Sequence, residues 1–223
     1  LCANFLTLSE NRKRIRKKKI PKKFDDADSK TIIEKLPFEL TNSQKKVLKE
    51  INLDLMSHNR MFRIIQGDVG SGKTIVSLLA IINAIKSGYQ CALMSPTEIL
   101  AKQHYDLAKK ICKDFDSKIE FLTGKTEYKK RKKILSDLLN GKIKFLIGTH
   151  SLFQKKINFN KLGLVVIDEQ HKFGVKQRSD LALKGGNNCD VLLMSATPIP
   201  RTMMMSLYGD MDISKITEKP SQR

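Results

Sequence analysis

The stretch "RIIQGDVGSGKTIVSLLAIINAIK", residues 63–86, decides the fold of this protein. A short apolar run ends at Gln66, and an apolar helical pattern runs from Thr74 to Lys86, just before a glycine suited to follow a helix. Between them, "GDVGSGKT" fits the phosphate-binding loop pattern at its fixed positions, Gly67, Gly72, Lys73 and Thr74. A strand, a phosphate loop and a helix in this order predict an α/β fold with a nucleotide site.

The residues of this loop have separate expected roles. Glycines let the backbone wrap closely around phosphate oxygens. The expected cradle consists of Gly67, Gly70, Ser71 and Gly72. Lys73 is expected to bridge the outer phosphates, and Thr74 is expected to hold Mg²⁺. The following helix presents its positive end to the same phosphates, so the loop predicts a nucleotide and Mg²⁺ as ligands.

Strand-like and helix-like patterns alternate along the rest of the chain. Six short apolar runs predict strands buried on both faces, over 63–66, 91–95, 119–123, 144–148, 164–168 and 191–195. Helical patterns occupy 74–86, 98–115 and 127–139, and Thr97 is a suitable cap for the second of them. This alternation predicts an open, mostly parallel sheet with right-handed crossovers and helices on both faces. Ligands of such sheets bind at the carboxyl ends of the strands.

The stretch "VVIDEQHKFG", residues 165–174, places Asp168, Glu169 and His171 at one of these strand ends. By itself it is compatible with a metal site, an acid/base pair or the switch of a motor. A zinc protease site is excluded because the H-E-x-x-H pattern is absent. With a phosphate loop in the same chain, Asp168 is expected to ligate Mg²⁺ through water and Glu169 to polarise the attacking water. The alternative is that two carboxylates merely end a strand.

The chain is strongly basic, and its charge is unevenly distributed. It contains 42 lysines and arginines but only 23 aspartates and glutamates, which gives a net charge of +19. Nine of the twelve residues from Arg12 to Lys23 are basic, and a second cluster, "KTEYKKRKK", covers residues 125–133. Such clusters attract polyanions by releasing condensed counterions. Each cluster could equally be a solvated face of a lysine-rich protein.

Cysteine use and hydropathy indicate the compartment. The four cysteines are far apart and form no C-x-x-C pair, so neither a zinc ribbon nor a disulfide framework is predicted. No run of eighteen uninterrupted apolar residues is present, and the amino-terminal sequence lacks the features of a secretory signal. We therefore expect reduced thiols, no membrane span and a cytoplasmic location.

The order of phosphate loop, "DEQH" and "SAT" resembles the first motor lobe of superfamily 2 helicases, a RecA-like P-loop NTPase lobe. Longer strings resemble the RecG family of bacterial branched-DNA helicases. These are "SPTEILAKQH" (95–104), "LTGK" (122–125), "IGTHSL" (147–152), "LGLVVIDEQHKFGVKQR" (162–178) and "MSATPIPRT" (194–202). The related transcription-repair coupling factor usually carries glutamate at the position of Gln170 and a different residue at Ser71. The terminal "KPSQR" departs from the Pro-Gly-Arg string typical of RecG.

The resemblance implies roles for individual residues toward ATP and DNA. Residues matching the adenine-contacting region are Phe38, Leu40 and Gln44, for which the alternative is an ordinary helix start after Pro37. Residues matching segments that touch the DNA backbone are Pro96, Thr97, Gln103, Thr149 and His150, and Arg201 matches a DNA or interlobe contact. Ser195 and Thr197 match the motif that links hydrolysis to strand movement, and the alternative is a simple strand end followed by a turn. Gln170 and His171 would pass the state of the γ-phosphate to that motif.

The resemblance also implies a domain organisation. We expect a basic segment or linker over residues 1–36, an ATP-binding lobe over 37–210 and an exit linker over 211–223. A wedge domain and a second lobe with an arginine finger are expected elsewhere on a longer chain or on a separate one. The activity implied is that of a monomeric, ATP-dependent DNA helicase acting on forks and Holliday junctions in repair and recombination.

An arginine finger contributes about 10³ to 10⁵ in rate. We therefore expect this lobe alone to bind ATP weakly, to hydrolyse it very slowly and to unwind no DNA. Two other hypotheses are a decayed nucleic-acid-binding remnant and an unrelated phosphate-loop ATPase or kinase. Intact Lys73, Thr74, Asp168 and Glu169 disfavour the remnant. The string "SATPIPRT" and the basic charge disfavour the unrelated enzyme.

Overall fold

A computed structural model describes residues 18–25, 33–34, 36–113, 118–154, 156–169, 186–197 and 211–220 of the chain. Three residues with predicted roles, Gln170, His171 and Arg201, lie outside these ranges. The first half of the first basic cluster, residues 12–17, also lies outside them. Within the described ranges, no helix is both long enough and apolar enough to cross a bilayer.

Seven strands and four α-helices make up the described part of the lobe. The strands are β1 (Phe62–Gln66), β2 (Gln90–Met94), β3 (Lys118–Leu122), β4 (Ile143–Gly148), β5 (Leu162–Ile167), β6 (Asp190–Ser195) and β7 (Asp212–Lys215). The helices are α1 (Asn42–Met56), α2 (Lys73–Lys86), α3 (Glu98–Ile111) and α4 (Tyr128–Leu139). Two short 3₁₀ helices cover His150–Phe153 and Gly186–Asn188.

All seven strands pair in parallel in one sheet, in the order β3-β4-β2-β5-β6-β1-β7. The predicted α/β fold is therefore confirmed, and the bounds of the six predicted strands agree to within two residues. Helix α3 ends at Ile111 rather than at the predicted residue 115, because the chain must turn back to begin β3 at Lys118. Strand β7 lies within the segment that we expected to be an exit linker.

Alternation along the strands builds a core on each face of the sheet. In β5, Leu164 and Val166 pack with the buried residues of α1, α2 and α3. Val165 and Ile167 point to the opposite face, where α4 contributes Ile134 and Leu138. Because helices cover both faces, the central strands are apolar without interruption, as expected for a parallel sheet.

Parallel strands bring all their carboxyl ends to one edge of the sheet. The order of strands places the ends of β5, β6 and β1 side by side, so the segments after Ile167, Ser195 and Gln66 meet there. The ends of β2, β4 and β3 form the other half of the same edge. The fold thus brings the phosphate loop, the acidic pair Asp168 and Glu169, and the predicted DNA-contacting segments to one continuous edge.

The end of the first basic cluster packs against the opposite, amino edge of the sheet. Lys19 Nζ and Lys22 Nζ each lie 2.6 Å from Oδ2 of Asp190, the first residue of β6. Oδ1 of Asp190 accepts a hydrogen bond of 2.6 Å from the backbone N–H of Met61. Two lysines of the cluster therefore belong to the interior of the lobe rather than to a solvated face.

Candidate functional site

The phosphate loop lies between β1 and the first turn of α2. Gly70 and Gly72 have φ angles of +81° and +88°, in the left-handed region that favours glycine. A side chain at Gly72 would also overlap the amide nitrogen of Gln44. The N–H of Gly67 donates to the carbonyl of Ser195 over 3.3 Å, which ties the loop to the end of β6.

Gln44 supports the loop from the first turn of α1. Its Nε2 donates to the carbonyl of Ser71 over 2.8 Å, and its Oε1 accepts from the N–H of Thr41 over 2.9 Å. The second bond is half of a capping box that begins the helix. Of the other residues predicted to contact adenine, Leu40 is buried in the core and Phe38 is exposed. Gln44 thus orders the loop, and its contact with adenine remains a prediction.

Lys73 is held over the loop by two backbone carbonyls. Its Nζ donates to the carbonyl of Gly67 over 2.5 Å and to that of Asp68 over 2.9 Å. Burial lowers the pKa of this ammonium, and the nearby carboxylates of Asp168, Glu169 and Asp68 oppose the shift. Asp68 belongs to the loop itself, and Asp168 and Glu169 act on Lys73 from the neighbouring part of the carboxyl edge.

Asp168 extends the end of β5 by one hydrogen bond. The N–H of Asp168 donates to the carbonyl of Met94 over 2.8 Å, and Asp168 is 8% exposed. Oδ1 accepts from the N–H of Glu169 over 2.9 Å, and Oδ2 lies 2.8 Å from Nε2 of His104. The carboxylate is thus held on both oxygens while remaining at the edge that faces the loop.

Glu169 has a strained backbone. Its φ of +51° is the one positive value that a residue other than glycine shows among the described residues. The left-handed conformation costs such a residue about 1–2 kcal/mol. Strain of this kind persists where the surrounding structure imposes it, and it concentrates at functional sites. The positive φ falls on the residue directly after Asp168.

Ser195 and Thr197 lie beside the loop at the end of β6. Ser195 pairs with Gln66 in the ladder between β1 and β6. Its hydroxyl donates to the carbonyl of Thr197 over 3.0 Å and lies 3.2 Å from the Thr197 hydroxyl. The two predicted coupling residues are therefore joined to each other and adjacent to the phosphate loop.

The site has features that fit a phosphate group. The Ser71 hydroxyl is buried and has no hydrogen-bond partner within the described part of the chain. Gly72, at the start of α2, supplies no side-chain cap to the N–H groups of the first turn. Thr74, in that turn, is half-buried. An anion at the start of α2 would satisfy these donors and the positive end of the helix.

The described residues that were predicted to touch DNA lie along the β2 and β4 half of the edge. Thr97 caps α3 by accepting from the N–H of Leu100 over 3.3 Å, and it is exposed. Gln103 and His150 are also exposed, and Pro96 is half-buried. Thr149 is only 2% exposed, so its hydroxyl is not available at the surface in this conformation.

Two polar residues of structural importance were missed in the sequence. His104 closes the string "SPTEILAKQH", and its position between Ala101 and Ala108 at helical spacing indicates a buried face. Asp190 stands at the start of an apolar run, where it resembled a polar boundary residue. Neither partner could be assigned, because each depends on which strands and segments become neighbours.

The chain is similar in sequence to known helicases. The family model described as DEAD/DEAH box helicase matches residues 41–206. The ATP-dependent DNA helicase RecG of Bacillus subtilis is 48% identical over 204 residues, which cover 92% of this chain and 30% of that protein. RecG of Aquifex aeolicus is 48% identical over 220 residues, which cover 98% of this chain and 28% of that protein. The chain thus spans less than a third of the length of these relatives.

Solved structures show the same similarity. A structure of RecG bound to a three-way DNA junction is 43% identical and superposes with a TM-score of 0.83, over 97% of this chain and 29% of that one. The DEAD-box helicase Mss116 bound to ssRNA is 20% identical with a TM-score of 0.67, over 89% of this chain and 46% of that one, which supports the fold alone. Because the family model covers residues 41–206, well over half of the chain, this protein belongs to the DEAD/DEAH box helicase family.

Proposed function

We propose that the chain is the ATP-binding lobe of a RecG-type DNA helicase, which couples ATP hydrolysis to translocation on branched DNA. The observation that carries this proposal is the position of Lys73, which lies in the phosphate loop and within the electrostatic field of Asp168 and Glu169. The shared similarity to RecG over nearly the whole chain supports the choice of DNA as the track.

Phosphate binding would begin with the loop and Lys73. The ammonium of Lys73 would exchange the carbonyls of Gly67 and Asp68 for phosphate oxygens. Burial makes the charged form of this lysine costly, as its lowered pKa indicates. A phosphate oxygen would offset that cost more effectively than a neutral carbonyl, because charge-assisted hydrogen bonds are the stronger ones. The loop would therefore bind an anion in preference to a neutral group.

Thr74 and Asp168 would hold Mg²⁺, which when bound neutralises negative charge on the phosphates. Within the described residues, no cluster of three or more histidine, cysteine, aspartate or glutamate side chains could hold a metal ion. The Thr74 hydroxyl would bind the ion, and the Asp168 carboxylate would bind it through water. Glu169 would accept a proton from the attacking water.

Strand movement would be coupled through the neighbouring strand ends. Ser195 and Thr197 lie beside the phosphate loop, and the exposed Thr97, Gln103 and His150 lie along the other half of the edge. This arrangement supports a DNA track that runs past the nucleotide site. The roles proposed for Gln170, His171 and Arg201 concern residues outside the described ranges.

The proposal includes the parts that this lobe would need from elsewhere. An arginine finger contributes about 10³ to 10⁵ in rate, or roughly 4–7 kcal/mol. A second lobe supplying it, and a wedge domain gripping the branch point, belong to the proposed complete helicase. Acting as a monomer in the cytoplasm on forks and Holliday junctions, that helicase would serve repair and recombination. The lobe alone would hydrolyse ATP very slowly.

Binding measurements on the purified chain test this proposal. A fluorescent ATP analogue should bind in the presence of Mg²⁺. Lys73→Ala should weaken binding about tenfold or more, since hydrogen bonds to charged groups contribute about 1.5–3 kcal/mol. Lys102→Ala is the matched control, because Lys102 is exposed and pairs with Asp106 on the surface of α3. Forked DNA should bind, and its binding should weaken as salt rises.

The failures are distinguishable. DNA binding without nucleotide binding would indicate a remnant that has lost its chemistry. Nucleotide binding without any DNA binding would indicate a motor lobe that does not act on DNA. Either result would contradict the proposed function.

A further inference from the structure

The buried face of α3 carries one polar side chain between two alanines. Its buried residues are Ala101, His104 and Ala108, which lie on one side of the helix at spacings of three and four. The small alanines let the helix backbone approach the sheet closely. His104 is 7% exposed, and its Nε2 lies 2.8 Å from Oδ2 of Asp168. The imidazole thus crosses from α3 to the end of β5.

The strand register explains why these two side chains meet. Leu164 and Val166 point to the face covered by α3, while Val165 and Ile167 point to the other face. Asp168 continues this alternation, because its N–H donates to Met94 and extends the ladder by one residue. The carboxylate therefore lies on the α3 side of the sheet, within reach of His104.

The two hydrogen bonds to Asp168 fix the orientation of its carboxylate. Oδ1 accepts from the N–H of Glu169 over 2.9 Å, and Oδ2 pairs with His104. An ionised carboxylate can only accept, so Nε2 of His104 carries the proton of this bond. One donor on each oxygen sets the plane of the carboxylate. Each oxygen keeps a further lone pair for another ligand.

We propose that His104 is a positioning residue for Asp168, through which α3 sets the orientation of the carboxylate that would hold Mg²⁺. The proposal rests on the proposed function. It also connects the predicted DNA-contacting Thr97 to Asp168 through one helix, because α3 begins at Glu98, directly after the exposed Thr97. A displacement of α3 by a nucleic acid at Thr97 would move His104 and with it Asp168.

Side chains that orient metal ligands typically change metal affinity 10- to 100-fold when they are removed. The test measures binding of a fluorescent ATP analogue to the whole chain as Mg²⁺ is varied, with no need for turnover. His104→Asn and His104→Gln carry the same amide and differ by one methylene. The glutamine amide can approximate the position of Nε2, whereas the asparagine amide is too short.

We expect His104→Asn to raise the Mg²⁺ concentration needed for half-maximal binding about tenfold, and His104→Gln to restore most of the loss. Affinity measured in EDTA should be the same for both variants and the wild type. Lys102→Gln, on the exposed face of α3, should match the wild type throughout. Thermal melting by circular dichroism checks that each variant is folded.

Equal Mg²⁺ dependence of the wild type and both His104 variants would overturn the positioning role. An equal loss of affinity with and without Mg²⁺ would also overturn it, because that pattern indicates a purely structural histidine. If the wild type itself bound no nucleotide, the proposed function would fail instead. The two ideas can therefore fail separately.

Discussion

Lys22 and Asp190 form an ion pair that is closed to solvent. Nζ lies 2.6 Å from Oδ2, and both side chains are 0% exposed. Lys22 also donates to the carbonyl of Asn188 over 3.2 Å and lies 4.7 Å from the ring centroid of Tyr89. Lys19 shares the same carboxylate oxygen over 2.6 Å. One carboxylate therefore compensates two buried ammonium groups, with help from a carbonyl and an aromatic face.

Asp190→Asn should destabilise the lobe by about 3–5 kcal/mol, because removing one partner of a buried ion pair leaves the other charge uncompensated. Urea unfolding followed by circular dichroism measures the change in the free energy of unfolding. Asp212→Asn is the matched control, since the Asp212 side chain is 70% exposed and 4.0 Å from Arg63. That variant should change stability by less than about 1 kcal/mol. Similar losses in both variants would show that burial of Asp190 is unimportant.

Gly72→Ala should destabilise the lobe more than Gly88→Ala. Both glycines have positive φ angles, +88° and +81°, so each alanine pays the left-handed cost of about 1–2 kcal/mol. At Gly72 the new methyl group would also overlap Gln44, whereas at Gly88 it would meet no atom within 4 Å. Urea unfolding of the two single variants isolates the effect of the overlap.

The double variant Gly72→Ala with Gln44→Ala provides a further check on this explanation. Truncating Gln44 removes the overlapping amide, so the two substitutions should be less destabilising together than the sum of their separate effects. Strict additivity of the two free-energy changes would argue that Gln44 does not set the requirement for glycine at position 72.

Lys73 should make the stability of the protein without nucleotide depend on pH. Burial lowers the pKa of its ammonium from the ordinary 10.5. Between the lowered value and 10.5, the unfolded state binds more protons at this site than the folded state does. The free energy of unfolding of the wild type should therefore rise with pH in that window, relative to Lys73→Met. Urea unfolding at several alkaline pH values measures the difference, and parallel curves for the two proteins would contradict it.

Much of this fold follows from local pattern. Continuous apolar runs such as "LGLVVI" (162–167) predict strands covered on both faces, and the structure buries every residue of that run. A helix start after Pro37 was only the alternative interpretation of "PFELTNSQ" (37–44), although "TNSQ" (41–44) has the capping-box pattern that begins helix α1. The structure begins this helix at Asn42. The apolar pattern of the strands and the capping box of α1 are therefore local signals for these secondary-structure elements.

The contacts between distant residues could not be predicted in the same way. His104 and Asp168 are 64 residues apart and meet because β2 and β5 are neighbours in the sheet. Lys22 meets Asp190 across 168 residues, and in the sequence it resembled part of a polyanion-binding cluster. Periodicity identifies which side chains are buried, but the order of strands decides which of them touch.

The buried thiols should react slowly in the folded protein. Cys91, Cys112 and Cys189 are all buried, and burial raises the pKa of Cys112 to about 11 and that of Cys189 to about 12. Alkylation requires the thiolate, which is scarce at pH 8 for such groups. Iodoacetamide labelling followed by peptide mass spectrometry should show little modification of the three before unfolding and full modification in guanidinium. Rapid labelling of any of them in the native state would contradict this burial.

Glu169→Gln should abolish hydrolysis while leaving nucleotide binding nearly intact. The amide has the size of the carboxylate but cannot accept a proton from water, and loss of a general base costs about 10²–10⁴ in rate. Single-turnover hydrolysis, with enzyme in excess of ATP, measures the slow rate of the lobe alone, and titration of a fluorescent analogue measures affinity. Glu98→Gln is the control. Glu98 is the first residue of α3, and its carboxylate lies 3.3 Å from Nζ of the exposed Lys125. Equal single-turnover rates for the wild type and Glu169→Gln would assign the proton acceptor to another group.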